Sequence, residues 1–380
     1  MSRPLRACFH ASRLWPLWSE GRIPFTGGAE VQQAQLARGL AARGIEVTVV
    51  TCDYGQPSPV VVHGVRVLKT YRIESGPPIL RFFHPRLTRT MAALHAADAD
   101  VYYARGAGLE AGHAWAASRR RGAAFVFGAA HDHDARASLP LLRNPRDRWV
   151  YRRALHGAAA VIAQTDAQQV LFRSEFGVAS EVIRNLVEPP SRVADPGANS
   201  TIVWLGTYKA AKRPEWFVEL ARALPGRRFL MHGVLPVPPE PAGAWHACRE
   251  AANALANLEV HDYLDHEHVA GLYQDAALLV HTSPVEGFPN TVLEAWACGV
   301  PSVSLVDPDG IVSREGTGQV VADLPALIRA VDQWMADPER RRQAGARARA
   351  YALRAHSPVV IAEQLAAAFR RAAGRGPNAA

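Results

Sequence analysis

Residues 45–51, IEVTVVT, are apolar or β-branched at every position except Glu46. Such a run suits a strand buried on both faces, as strands of a parallel sheet are. Comparable runs are expected as strands at 6–11, 64–69, 101–103, 124–127 and 159–163, with helical stretches between them. Strand and helix alternating in this way make βαβ units and hence a parallel sheet. The helix expected over 29–43 carries Val31, Leu36 and Leu40 along one face, and Gly44 follows where a left-handed residue is wanted.

The series stops in a polar, proline-rich stretch at 188–200, EPPSRVADPGANS, which reads as a linker, and then begins again. Strands are expected at 201–205, 228–232, 258–261, 277–282 and 302–305, and helices at 214–224, 242–256, 266–275 and 289–298. From 324 to 371 the pattern is mostly helical, broken near Pro338 and at Ser357-Pro358. At 380 residues the chain exceeds what one compact core holds. The expected architecture is therefore α/β, with two successive doubly wound sheets. Ligands of open sheets bind beyond the carboxyl ends of the strands, so a cleft between two such domains is the expected site.

The net charge of +8 belongs to the first half: residues 1–190 hold 24 Lys+Arg against 15 Asp+Glu, and residues 191–380 hold 19 against 20. Such a basic half could meet anionic lipid, a phosphorylated acceptor or nucleic acid; an arginine-rich composition used simply for solvation explains it equally well. Only three lysines occur, Lys69, Lys209 and Lys212, and two of them share one short loop. The four cysteines lack any metal or disulfide spacing and are expected to be reduced, buried thiols of a cytoplasmic protein. There is neither an apolar signal segment nor a run able to span a bilayer, so neither standard secretion nor an integral membrane position is expected.

Residues 283–301, SPVEGFPNTVLEAWACGVP, follow an expected strand. Pro289 suits a first helical turn and Gly299 with Pro301 a stop. The helix between is almost wholly apolar, yet it holds Glu294 one turn after Asn290. A carboxylate there needs hydrogen-bond donors, and the hydroxyls of a ribose would serve, as would an arginine. Glu286 is expected on an exposed loop, where it could hold another polyhydroxylated group or be simply solvated. Residues 206–214, GTYKAAKRP, crowd Lys209, Lys212 and Arg213 into a strand-to-helix loop, as a diphosphate leaving group would require and as a solvated surface would also allow. Residues 25–30, FTGGAE, open a helix with paired glycines that let a backbone approach phosphate. The segment lacks the Gly-x-Gly-x-x-Gly spacing of a dinucleotide site, which argues against a dehydrogenase. In His131-Asp132-His133-Asp134 a metal site is conceivable, but no second ligand group has diagnostic spacing. No metal is expected; the more modest reading is that His131 faces a donor sugar.

Taken in order, GGAE at 27–30, the lysine loop at 206–214 and EGFPNTVLEA at 286–295 resemble family 4 of the glycosyltransferases. The resemblance implies retaining, nucleotide-sugar-dependent enzymes of GT-B fold: two Rossmann-like doubly wound domains facing across a cleft, with a C-terminal helix crossing back to the N-terminal domain. It implies an acceptor-binding domain at 1–190, a donor-binding domain at 200–356 and a returning helical segment at 357–380. Glu286 and Glu294 match the family's Glu-x7-Glu pattern, so Glu286 is implied to hold the donor sugar and Glu294 the ribose. Gly287, Phe288, Pro289 and Asn290 are implied to offer backbone to sugar or phosphate, Lys212 to neutralise the diphosphate, and Gly27 and Gly28 to lie beside it. Gly206, Thr207 and Lys209 complete the donor loop; many members have arginine where this chain has Thr207, and Lys209 could substitute. Tyr263 and Leu264 fall where the base would lie, and His131 near the reacting sugar. Glu286, Lys212 and His131 are thus the catalytic candidates. A front-face mechanism without metal or bound cofactor is implied, with a UDP-sugar as co-substrate ahead of a GDP-sugar and a hexose as the transferred group. The acceptor would be a glycan or lipid-linked molecule, in cell-surface polysaccharide or glycoconjugate synthesis.

Two other functions fit a similar fold: a non-catalytic nucleotide-sugar-binding partner, favoured by Thr207 alone, and a nucleotide-sugar epimerase, for which no acid–base pair is evident. Arg105 is a candidate for the acceptor. The mixed segment at 81–89, RFFHPRLTR, could dock peripherally on the cytoplasmic face of an anionic membrane or be ordinary surface.

Overall fold

The computed structural model describes residues 3–19, 23, 27–77, 80–235 and 242–374. The chain divides into two units, one comprising Met1–Leu186 with Pro358–Ala380 and the other Val187–Ser357.

The first unit is built on β1 (Arg6–His10), β2 (Glu46–Thr51), β3 (Val60–Val62), β4 (Val65–Lys69), β5 (Val101–Arg105), β6 (Ala124–Gly128), β7 (Ala160–Ala163) and β8 (Glu181–Val182). Their order is β3-β4-β2-β1-β5-β6-β7-β8, parallel except for the β3–β4 pair. The run that opened the reading is β2, buried at every position after Glu46. Helix Gly28–Ala41 ends two residues before the expected Arg43, and Gly44 holds φ +75°, the left-handed region where glycine costs least. Helix Pro358–Gly374 packs on Gly28–Ala41 so closely that a Cβ at Gly39 would lie 2.8 Å from that of Ala362. Its Phe369 is fully buried, 6.1 Å from the Phe9 ring and 5.7 Å from that of Tyr103. The last helix therefore completes a core that the first strand begins.

The second unit carries β9 (Thr201–Thr207), β10 (Arg228–Val234), β11 (Leu258–His261), β12 (Ala276–His281), β13 (Ser302–Ser304) and β14 (Gly318–Val320), all parallel, in the order β11-β10-β9-β12-β13-β14. The expected 266–275 helix is instead a tight turn, His266–His268, followed by helix Val269–Gln274. Residues 188–200 are not a free linker. The amide of Ala194 donates to the Cys298 carbonyl at 2.8 Å, and buried Arg341 donates to the Pro196 carbonyl at 2.7 Å. Proline and turn residues deny the segment a periodicity, but a helix supplies its carbonyls with donors.

Both sheets have a point where the strand order reverses, between β1 and β5 in the first and between β9 and β12 in the second. The connections leaving two such neighbours depart to opposite faces and open a crevice at their carboxyl ends. All four cysteines are free and buried, and no helix among the described residues is long and apolar enough to cross a membrane.

Candidate active site

In the second unit the lysine loop leaves β9 and the Glu286 loop leaves β12, the two strands that flank the reversal. Thr282 ties them together: its hydroxyl accepts from Trp204 Nε1 at 2.9 Å and donates to the Lys212 carbonyl at 2.5 Å. Lys212 Nζ pairs directly with Glu286 Oε1, and His281 Nε2 lies 3.8 Å from the same oxygen. Burial opposes ionisation of Glu286, but His281 beside it and the Lys212 charge prevail and hold its carboxyl well below the usual carboxylate range. The expectation of an exposed Glu286 is thus corrected: its side chain is only 11% exposed, because Lys212 and His281 compensate its burial.

Glu294 meets neither an arginine nor an unsatisfied environment; His266 Nε2 lies 3.3 Å from its Oε1. Burial alone would lower the His266 pKa, but the hydrogen bond to Glu294 and that carboxylate's charge raise it. Helix Asn290–Ala297, which carries Glu294, is fixed by an aromatic cluster. The Phe288 ring stands 4.7 Å from that of His356 and 5.9 Å from Trp296, whose other side meets Tyr351 at 5.9 Å. Phe288 and Pro289 are buried, so from this segment backbone and Asn290 are what a ligand could reach. Gly206 and Thr207 end β9, half-buried, and the Lys209 amide donates to the Thr207 carbonyl at 2.7 Å. Arg213 turns onto the face of Trp216 at 4.6 Å. Tyr263 and Leu264 follow β11, half-buried.

In the first unit a cavity of about 610 Å³ lies beyond the carboxyl ends of β1, β5 and β6. His10, Arg105, Glu110 and His131 are among the residues that line it. His131 caps the short turn Asp132–Ala135: its Nδ1 accepts from the His133 amide at 3.2 Å, and the two imidazoles stack at 4.5 Å. Asp134 accepts from the amides of Ala107, Ala130 and His131, and Asp132 accepts from Gln168 Nε2 at 2.9 Å. Both carboxylates thus serve the local fold. Gly27 (φ +153°) precedes Gly28 at the start of helix Gly28–Ala41, and the Gly27 Cβ position would collide with the Glu30 carboxylate. Phe25 and Thr26 of that loop, and Pro24 before it, lie outside the described residues.

His281 and His266 were missed in the sequence. Each is a lone histidine, at a strand end or in a turn, with no spacing to Glu286 or Glu294 that marks it. Glu110, at a helix start after β5, is likewise unmarked.

A family model described as Glycosyltransferase Family 4 matches residues 26–189, and one described as Glycosyl transferases group 1 matches residues 199–337. A D-inositol 3-phosphate glycosyltransferase of Arthrobacter sp. (strain FB24) is 25% identical over 323 residues, which cover 73% of this chain and 73% of that relative. Among solved structures, a sucrose-phosphate synthase from Thermosynechococcus elongatus is similar with a TM-score of 0.79 at 20% identity, covering 97% of this chain and 98% of that one. Anabaena HepE in complex with UDP-glucose is similar with a TM-score of 0.75 at 17% identity, covering 96% and 99%. These likenesses show the shared GT-B fold, with its two parallel sheets and surrounding helices.

Proposed function

Because the chain belongs to the family 4 glycosyltransferases, we propose that it is a retaining, metal-independent enzyme that moves a hexose from a UDP-sugar, or failing that a GDP-sugar, to a glycan or lipid-linked acceptor. The observation that carries this reading is the Lys212–Glu286–His281 group at the reversal point of the second sheet. A cation already held beside a carboxylate is poised to exchange partners. When a nucleotide diphosphate sugar binds, its phosphate oxygens take the Lys212 ammonium, and the released Glu286 carboxylate accepts hydrogen bonds from the sugar hydroxyls. Glu294, with His266 behind it, accepts from the ribose; Tyr263 and Leu264 flank the base. Gly206, Thr207, Lys209 and the backbone at Gly287, Pro289 and Asn290 border the phosphates and sugar, and Gly27 and Gly28 are assigned the same neighbourhood.

In the reaction the anomeric carbon–oxygen bond to the diphosphate breaks, and the acceptor hydroxyl oxygen bonds to the same face. Its proton passes to the departing phosphate oxygen. Lys212 stabilises the charge that grows there, a contribution worth about 10²–10³ in rate for one preorganised group. Among the described residues His131 Nε2 has no partner, and it is assigned to a sugar hydroxyl near the reacting carbon. The first unit is assigned the acceptor, through the cavity that Arg105 lines. A place in cytoplasmic glycoconjugate or polysaccharide synthesis follows, with peripheral contact to anionic membrane through 81–89, where Phe83 is largely exposed.

Thermal shift with UDP, GDP and ADP tests the donor class; UDP is expected to stabilise most. Lys212→Ala and Glu294→Ala should each abolish donor turnover while the protein stays folded. Near-normal rates in both, or donor binding without turnover against any acceptor, would overturn the proposal.

A further inference from the structure

Three arginines, Arg13, Arg86 and Arg105, line the cavity of the first unit. Arg105 is held by Asn185, to whose Oδ1 its Nη2 donates at 2.6 Å; Arg86 is held by its Nη2 on the Ile73 carbonyl at 2.9 Å and by the Tyr71 ring at 5.7 Å. The Nε atoms of both are buried and make no hydrogen bond. Among the described residues none of the three arginines forms an ion pair, although Arg3, Arg6, Arg43, Arg121 and Arg136 of the same unit all do. Two carboxylates line the cavity, Asp134, bonded by three backbone amides, and Glu110, against these three cations, so a positive excess remains. Nearby Glu30 offsets only part of the excess: burial, then the Glu110 charge, push its carboxyl up to about 7, against the pull of Arg13 and Arg105. Helix Leu109–Arg121 also begins at the cavity wall, with no side-chain cap on its first amides.

We propose that this cavity binds the acceptor by a phosphate group, gripped by Arg86 and Arg105 with Arg13 closing over it, so that the acceptor is a phosphorylated sugar or polyol. Guanidinium groups tethered at one end and bare at the other match phosphate oxygens in pairs, and an uncapped helix start adds dipole and amides to the same anion. Glu110, Ser12 and Thr90 line the same space and suit hydroxyls, which a bare phosphate lacks and a polyol has. This rests on the reading that the first unit holds the acceptor.

Calorimetric titration of the UDP-saturated full chain tests it. The probes are glucose 6-phosphate, inositol 1-phosphate and glycerol 3-phosphate, each against its unphosphorylated counterpart. At least one phosphorylated probe is expected to bind about tenfold or more tightly than its neutral form, an advantage that Arg86→Gln with Arg105→Gln removes. Hydrogen exchange of β1, β2 and β5 in that variant should match wild type, which shows that its first unit folds. Vesicles containing phosphatidylinositol, compared with phosphatidylcholine alone, separate a lipid-borne phosphate from a free one. Binding to those vesicles that the variant loses assigns the phosphate to a lipid; binding of the soluble probes only assigns it to a free metabolite. Equal affinity for neutral and phosphorylated probes with no vesicle preference, or a preference that survives in the variant, overturns the proposal. Loss of the UDP shift in the wild type counts instead against the donor reading, and the phosphate preference is then read from the same titration without UDP.

Discussion

Lys212 and Glu286 stand 74 residues apart and depend on one another. Replacing Lys212 by methionine keeps the length of the side chain but leaves Glu286 with His281 alone, at 3.8 Å. The expected loss is about 1–2 kcal/mol, between the value of an exposed pair and that of a buried one, since Lys212 is partly exposed. A carboxyl held below its ordinary pKa contributes stability above that ordinary value and loses it as pH falls through the depressed one. The gap between wild type and Lys212→Met should therefore be constant at neutral pH and close in acid, as thermal denaturation across pH would record. His266 runs the other way. Its pKa is raised, so the His266–Glu294 pair contributes fully below about 6.5 and fades as pH rises through the folded value. NMR titration should find the imidazole above its ordinary pKa, and lower in Glu294→Gln, where only the Glu188 charge still opposes burial. Both carboxylates were legible as candidates in the sequence because a charge amid 283–301 has to be explained. Their histidine partners were not, since contact between positions 281 and 286 or 266 and 294 is a product of folding that no spacing rule encodes.

At the scale of elements, the strands buried on both faces could be read almost residue by residue: β2 and β6 fall where continuous apolar runs place them. The strands missed, β3, β8 and β14, are two or three residues long and all lie at sheet edges, where one ladder partner suffices and no pattern of burial is imposed. Helix Gly28–Ala41 presents a different demand, because what matters at Gly39 is the missing side chain. Ala362 approaches to the point where even a methyl group would require the helices to part. Gly39→Val should cost about 1–3 kcal/mol as an overpacked contact, lowering the melting temperature of the first unit. The UDP shift, which belongs to the second unit, should survive.

Over the whole molecule, the consequence of that helix pair is that the first unit cannot finish folding until residues 358–374 have been made. Its core clusters Phe9 and Tyr103 with Ile361, Leu365 and Phe369, residues separated by most of the sequence. The last helix was readable as helical, and its return to the first domain was implied only by resemblance, because an apolar face does not name what it covers. A chain ending at residue 357 strips three apolar side chains and the alanines beside them from that core. Loss of one large buried aromatic alone costs about 3–5 kcal/mol, comparable to much of a domain's stability, so the whole helix exceeds what the first unit can lose. The truncated protein should show collapsed amide protection throughout β1, β2 and β5, while amides of β9, β10 and β12 stay protected, because their core draws nothing from beyond Ser357. Hydrogen exchange resolved by segment measures both at once. Uniform loss across the two sheets would mean that the units fold as one, and uniform retention that the Phe369 contacts contribute little.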